Sequence, residues 1–266
     1  MLYDFSGDKY DVFIQAGQSN ASGCSLGDTD EPYEEDQRIL YMSDPFGGDG
    51  GYVIDRAAEN IYGNLICTNF SISFAREYVK RGHLQEGRKL LIVRTAAGGT
   101  SFLSHRWKLE GDLYRRMLDM ARTALSLNPE NRLMGILWHQ GEADAESHAT
   151  YMEHYNNLMT LVCAARSTLN APSIPFIAAD LVPHWRAEHA DITGPVRDAI
   201  RNVVQACGNG YFIGTDELKS NNQEFGYDPM GWEDHIHFSR RSSYALGKKY
   251  MDCYEQYLKD RQNAAR

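Results

Sequence analysis

The chain lacks any long apolar run. No stretch approaches the roughly 20 residues that a membrane span requires, so a membrane partner is not expected. It also lacks a basic segment. Lys plus Arg number 27 against 36 Asp plus Glu, for a net charge of −9, and no cationic cluster interrupts this balance. Phosphate binding needs a cationic face, so nucleic acid is not an expected partner. Cysteine is sparse and unpaired in pattern. The five residues Cys24, Cys67, Cys163, Cys207 and Cys253 are scattered, with no C-x-x-C spacing. That spacing excludes a disulfide scaffold and a zinc knuckle. The first residues, MLYDFSGDKYDVFIQAG, carry no basic segment followed by an apolar one and do not read as a signal peptide. Cytoplasmic residence is the default expectation. Neither an internal repeat nor a low-complexity tract is visible.

What the sequence does have is ordinary globular composition. Its 266 residues are 42% hydrophobic and 11% aromatic, enough for a full core. Nothing in the middle reads as a linker, so one domain over 1–266 is expected. Short apolar runs predict strands over 11–15, 89–94, 133–138, 175–181 and 211–214. Apolar spacing of three and four predicts helices over 70–81, 112–127, 151–169, 195–206 and 239–258. Asn128-Pro129 stops the second helix and Ser239 is a candidate N-cap for the last. This alternation predicts an α/β fold, a three-layer sandwich around a five-stranded, mostly parallel sheet. Residues 29–64 are rich in Asp, Glu, Gly and Tyr and read as a long surface excursion, with the glycine-rich 47–51 its most mobile part.

Three predicted strands end in unusual polar groups: Gly17-Gln18-Ser19-Asn20, Ala97-Gly98-Gly99-Thr100 and His139-Gln140-Gly141-Glu142. Ligands of parallel α/β sheets bind outside the carboxyl ends of strands, so their coincidence points to a site. Ser19 reads either as a helix N-cap or as a nucleophile at a helix N-terminus. As a nucleophile it needs a base. Of the nine histidines, His83, His105, His148 and His154 fall in helices or polar loops and read as surface residues. His184 and His189 flank a Pro-Trp loop and could border a cleft. In Asp234-His235-Ile236-His237, a carboxylate at i can reach back to an imidazole at i+3 and orient it. Such a pair also arises by chance. Two histidines two apart could begin a metal site, but no further ligand cluster supports one, and no metal is expected.

Together, GQSN, then GGT, then WHQGE-x-D, then D-x-x-H resemble the SGNH hydrolase superfamily. More narrowly they resemble the sialate O-acetylesterase-like and acetylxylan esterase group, carbohydrate esterase family 6. The motifs run in order from Gly17 to His237. The resemblance implies a flavodoxin-like sheet, Ser19 as nucleophile and His237 as base. It implies an oxyanion hole from the backbone N–H groups of Ser19 and Gly99 and the side-chain amide of Gln140. The carboxylate orienting His237 is either Asp234, from D-x-x-H, or Glu142, from HQGE, and both remain open. Gln18 and Asn20 would support the turn around Ser19, and Asp144 would tie its loop together. The implied activity is a serine esterase removing acetyl groups from a small acetylated sugar or oligosaccharide, with no cofactor. Another lipase, thioesterase or arylesterase of the same fold, or a silent carbohydrate-binding protein, are the alternatives. Among aromatics near the motifs (Trp107, Trp138, Trp185, Tyr227 and Trp232), Trp138 reads as packing. Trp185 and Trp232, in loops, are the better candidates for lining a cleft.

Overall fold

The computed structural model describes residues 5–45, 47, 51–226 and 231–266, the side chain of Ser6 excepted. Residues 48–50 of the glycine-rich stretch, and Tyr227, lie outside them. In chain order the strands are β1 (Lys9–Gly17), β2 (Ile39–Ser43), β3 (Val53–Arg56), β4 (Asn60–Tyr62), β5 (Leu65–Cys67), β6 (Arg88–Arg94), β7 (Arg132–His139), β8 (Phe176–Ala179) and β9 (Gly210–Ile213). The helices are α1 (Ser19–Ser22), α2 (Phe70–Lys80), α3 (Asp112–Ser126), α4 (Glu142–Glu146), α5 (Tyr151–Thr168), α6 (Pro183–Glu188), α7 (Ala190–Ala206), α8 (Asn221–Glu224) and α9 (Arg240–Ala264).

The main sheet has seven strands in the order β3-β2-β6-β1-β7-β8-β9. Every neighbouring pair is parallel except β2 with β3. The expected five strands are therefore two too few. Both extra strands come from the stretch read as a surface excursion. Ile39–Met42 is a buried apolar run that joins β6, and β3 turns back antiparallel beside it as the outer edge. Their signal is short because a run of four apolar residues is flanked by acidic and glycine-rich chain.

β1 sits at the centre and is buried along almost its whole length. A strand covered on both faces carries a near-continuous apolar run, which is what VFIQAG provides. Alternate residues feed opposite layers. Phe13 meets Phe74 and Tyr78 of α2 and Tyr254 of α9, with ring centroids 4.8–5.4 Å apart. Val12 packs with Leu91, Val93, Met120 and Ala124 on the α3 side. Helices α3, α5 and α7 cover that second face, and α2 with α9 the first.

Local signals begin the helices. Asn69 caps α2, Ser239 caps α9, and Thr150 with Glu153 forms a capping box at α5. Helix α7 starts five residues before its expected proline start and contains Pro195. The proline lies in its second turn, where it costs one backbone hydrogen bond and the helix continues past it. Among the described residues, no helix is long and apolar enough to cross a membrane.

Candidate active site

The chain leaves β1 and returns first to β6 on one side, then to β7 on the other. The carboxyl ends of these three adjacent strands form the crevice where the strand order reverses. The three polar groups singled out in the sequence follow these three strands.

Gly17 ends β1 at φ 129°, and a Cβ there would stand 1.9 Å from the His139 carbonyl oxygen. Only glycine lets β1 run this close to β7 and then turn. The turn delivers Ser19 to the first position of α1, 8% exposed. Its Oγ lies 2.9 Å from His237 Nε2. On the other side of the ring, Nδ1 lies 2.9 Å from Asp234 Oδ2, and Asp234 Oδ1 accepts the His237 backbone N–H at 3.1 Å. The His237 side chain is 22% exposed against 5% for Asp234, so solvent reaches the line Asp234–His237–Ser19 at the imidazole rather than at the carboxylate. Burial raises the Asp234 carboxyl, but the hydrogen bond and charge of His237, with the Asn221 amide, outweigh it and hold it below the usual carboxylate range.

Asn221 was not legible as a site residue. Its amide nitrogen donates to Asp234 Oδ2 and to the Cys24 carbonyl, both at 2.8 Å. Its backbone N–H donates to the His237 carbonyl. It opens α8, whose capping box pairs Ser220 with Gln223. The S-x-x-Q spacing was the available signal.

Glu142 does not touch His237. Its side chain has no exposed surface, and Oε1 accepts from Asn20 Nδ2 at 2.7 Å and lies 3.4 Å from His139 Nε2. Burial raises its carboxyl, while His139 and the Asn20 amide more than offset this, so it stays below the usual range. Asn20 in turn holds both neighbours of His237. Its amide donates to the Ile236 carbonyl at 3.0 Å, and its oxygen accepts the Phe238 N–H at 3.0 Å. Of the two carboxylates left open by the sequence, Asp234 meets the imidazole directly. Glu142 reaches it only through Asn20 and the backbone. Gln18 supports the turn from beneath, its Oε1 accepting the Ala143 N–H at 3.2 Å.

Gln140 departs from expectation. Its amide nitrogen donates to Asp144 Oδ2 at 2.6 Å and the Thr100 carbonyl at 3.3 Å, and its side chain is wholly buried. Both amide protons are committed, so in this structure Gln140 presents no donor beside Ser19. Turning the amide over would set its oxygen against the Asp144 carboxylate. The backbone N–H groups of Ser19 and Gly99 are different: among the described residues neither has a hydrogen-bond acceptor. Gly99 is exposed at φ 64°, in the left-handed region, and a Cβ on neighbouring Gly98 would meet Ser19 Cβ at 3.8 Å. Asp144 ties its loop as expected, accepting from the Phe102 and Leu103 N–H groups and from Gln140.

The remaining expectations divide. His105 and His148 are exposed and His83 pairs with Glu255 at the surface. His154 is not a surface residue: it is buried 3.5 Å from Asp144, with its ring against Phe102. Its spacing to Leu158, Leu161, Val162 and Ala165 places it on the apolar stripe of α5, a signal that could have found it. Trp185 is also corrected. It is 5% exposed and belongs to the core, against His189, so it does not line an open cleft. Trp107 and Trp138 are fully buried, while Trp232 is 70% exposed. His184, read as a residue that could border a cleft, is partly exposed and meets His235 and Glu188.

Residues 9–256 match the family model described as carbohydrate esterase, sialic acid-specific acetylesterase. A probable 9-O-acetyl-N-acetylneuraminic acid deacetylase of Escherichia coli (strain K12) is 28% identical over 123 residues, 36% of this chain and 37% of that protein. A probable carbohydrate esterase of Arabidopsis thaliana is 34% identical over 132 residues, 48% of this chain and 47% of that protein. The matched stretches thus span less than half of these curated relatives. Among solved structures, the fold is similar to that of NanS, with a TM-score of 0.78 at 20% identity over 96% of this chain and 99% of that one. It is also similar to a carbohydrate acetylesterase from Xanthomonas citri, with a TM-score of 0.63 at 16% identity over 91% of this chain and 55% of that one. With its SGNH-type fold and a family match that takes in every motif from Gly17 to His237, the chain belongs to the sialic acid-specific acetylesterase family of carbohydrate esterases.

Proposed function

We propose that the protein removes O-acetyl groups from carbohydrates through an acyl-enzyme on Ser19. The observation that carries this reading is the continuous line from Asp234 through His237 to Ser19, joined by two hydrogen bonds of 2.9 Å. A serine hydroxyl is a weak nucleophile until a base takes its proton. His237 Nε2 is positioned to do so, and Asp234 fixes the ring with Nδ1 protonated and stabilises the imidazolium that forms.

Ser19 Oγ attacks the ester carbonyl and its proton passes to His237. The carbonyl oxygen becomes an oxyanion and is held by the free N–H groups of Ser19 and Gly99. The intermediate collapses to an acetyl-Ser19 ester, and the departing sugar oxygen takes the proton from His237. Water then attacks with His237 again as base, releasing acetate and restoring Ser19. Each oxyanion donor typically contributes on the order of 100- to 1000-fold in turnover.

Membership of the family favours acetyl as the acyl group and a sugar as the alcohol. The E. coli relative named as a sialate deacetylase makes O-acetylated sialic acid the first substrate to test. The intact line of three residues speaks against a silent binding protein. The test is acetate release from a panel of acetylated sugars, alongside 4-nitrophenyl acetate and octanoate. The reading predicts acetate release from at least one sugar, a strong preference for acetate over octanoate, and near-complete loss in Ser19→Ala. Equal rates on acetate and octanoate would point instead to a lipase-like or thioesterase role.

A further inference from the structure

We propose that His184, Glu188 and His235 form a binding site for a divalent transition-metal ion of the zinc class, beside the Ser19 site and separate from it. The three come from two segments. His184 and Glu188 stand four apart on α6, on one helical face, and His235 lies on the segment that carries Asp234 and His237. One ligand atom from each falls within 4.8 Å of the others.

Their chemistry suits such an ion. Two imidazole nitrogens and a carboxylate are a common zinc donor set, and a fourth position stays open for water. His184 Nε2 lies 3.4 Å from Glu188 Oε1. That matches the edge of a ligand tetrahedron with metal–ligand bonds of about 2.0–2.1 Å, which is about 3.3 Å. His235 Nδ1 lies 2.7 Å from Glu188 Oε2. A bound ion would replace that hydrogen bond and widen the gap by about 0.6 Å, to the same tetrahedral edge. Glu188 is exposed and can swing to allow it.

The outer groups orient the donors. His184 Nδ1 sits 2.8 Å from Ser220 Oγ. Donation of its proton there leaves the Nε2 lone pair facing Glu188. Ligating histidines characteristically donate their second nitrogen in this way. On His235, Nε2 is buried with no hydrogen-bond partner, 3.6 Å from Glu233 Oε2. With Nδ1 on a metal, Nε2 would carry the proton and turn it toward that carboxylate. The two rings stack with centroids 4.2 Å apart and planes 20° from parallel, so both edges face one carboxylate. Hydrogen bonds alone leave this cluster incomplete, whereas a cation completes it. The expectation of no metal rested on seeing no ligand cluster beyond His235 and His237 in the sequence, whereas the fold brings His184 and Glu188 to His235. His237 is instead committed to Asp234 and Ser19.

The test uses the full chain, stripped with a chelator and titrated with zinc and with cobalt(II), and its readout does not depend on ester hydrolysis. Calorimetry and equilibrium dialysis should find one zinc ion per chain, with an upward shift in melting temperature. Cobalt(II) should give the visible absorption of a four-coordinate nitrogen and oxygen site, without thiolate charge-transfer bands. His184→Ala and Glu188→Gln should each weaken zinc binding at least tenfold while keeping the metal-free activity on 4-nitrophenyl acetate, which also shows that they fold. His235→Gln serves as the second variant if either fails to fold. Absence of stoichiometric binding, thiolate bands, or undiminished binding in these variants would overturn the proposal.

Discussion

Three histidine–carboxylate pairs lie beside the carboxyl ends of β1, β6 and β7, and they differ more in surroundings than in chemistry. His237 and Asp234 are 2.9 Å apart, and the imidazole keeps one edge open to Ser19 and solvent. His139 with Glu142, at 3.4 Å, and His154 with Asp144, at 3.5 Å, are wholly buried. Among the described residues neither buried pair touches a hydroxyl that could serve as a nucleophile. Their carboxylates are spent on amides: Glu142 on Asn20, and Asp144 on Gln140 and two backbone N–H groups. The comparison separates two tasks. Under the proposed function the open pair moves the proton, while the buried pairs tie down the loops around it.

The largest effect that can break this division is on turnover. Asp234→Asn should lower kcat by about 10⁴-fold, the scale seen when a triad aspartate is neutralised, measured with 4-nitrophenyl acetate. Glu142→Gln should lower it far less, because Glu142 acts on His237 only through Asn20. The reverse order would make Glu142 the orienting carboxylate and collapse the distinction.

The buried layer should answer in stability. Removing one partner of a buried charged network costs about 3–5 kcal/mol. Asp144→Ala should therefore lower the urea midpoint strongly, since Gln140 and two backbone N–H groups lose their acceptor. Gln140→Leu should also destabilise, while leaving turnover within about tenfold. A loss on the order of 100- to 1000-fold with unchanged stability would instead restore Gln140 as an oxyanion donor.

Acid should act on both regions with one sign. The carboxyls of Asp234, Glu142 and Asp144 are all held below the usual range, because histidine, amide and backbone partners outweigh the burial that raises them. A carboxyl with a depressed folded-state pKa contributes stability above its unfolded value, about 3.9–4.3, and loses it as pH falls through the folded value. The urea midpoint should fall steeply below about pH 4. Glu142→Gln should flatten that fall, and an unchanged acid limb would remove Glu142 from the account.

The smallest effect concerns the rim. Trp232 is the exposed tryptophan of the segment leading to Asp234. Trp232→Ala should raise KM for an acetylated sugar a few-fold and leave KM for 4-nitrophenyl acetate unchanged. Equal effects on both substrates would remove any role in holding the sugar.

The comparison also explains what the sequence could and could not disclose. Strand ends were legible because buried strands announce themselves as apolar runs, and Ser19, Gly99 and Gln140 lie in the segments that follow β1, β6 and β7. The D-x-x-H geometry was legible because it is local. Long-range partners were not. Asn20 clamping residues 236 and 238, and Asn221 holding Asp234, are contacts between segments far apart in the chain. Spacing alone cannot tell which proton of Gln140 is already taken. Trp185 and His154 are buried against expectation because helical spacing turns them inward, whatever the neighbouring loop or the polarity of the side chain suggests. Strands β2 and β3 were not legible for different reasons: β2 is a short buried run set in acidic and glycine-rich chain, and β3 is a short, largely exposed edge strand.

The most direct measurement is rapid-quench mass spectrometry of the protein mixed with an activated acetyl ester, with peptides mapped after digestion. A single acetyl group on the peptide containing Ser19, formed and lost at rates matching turnover and absent in Ser19→Ala, is the predicted result. Turnover at the full rate with no acetyl on Ser19, or with the label on another residue, would contradict it.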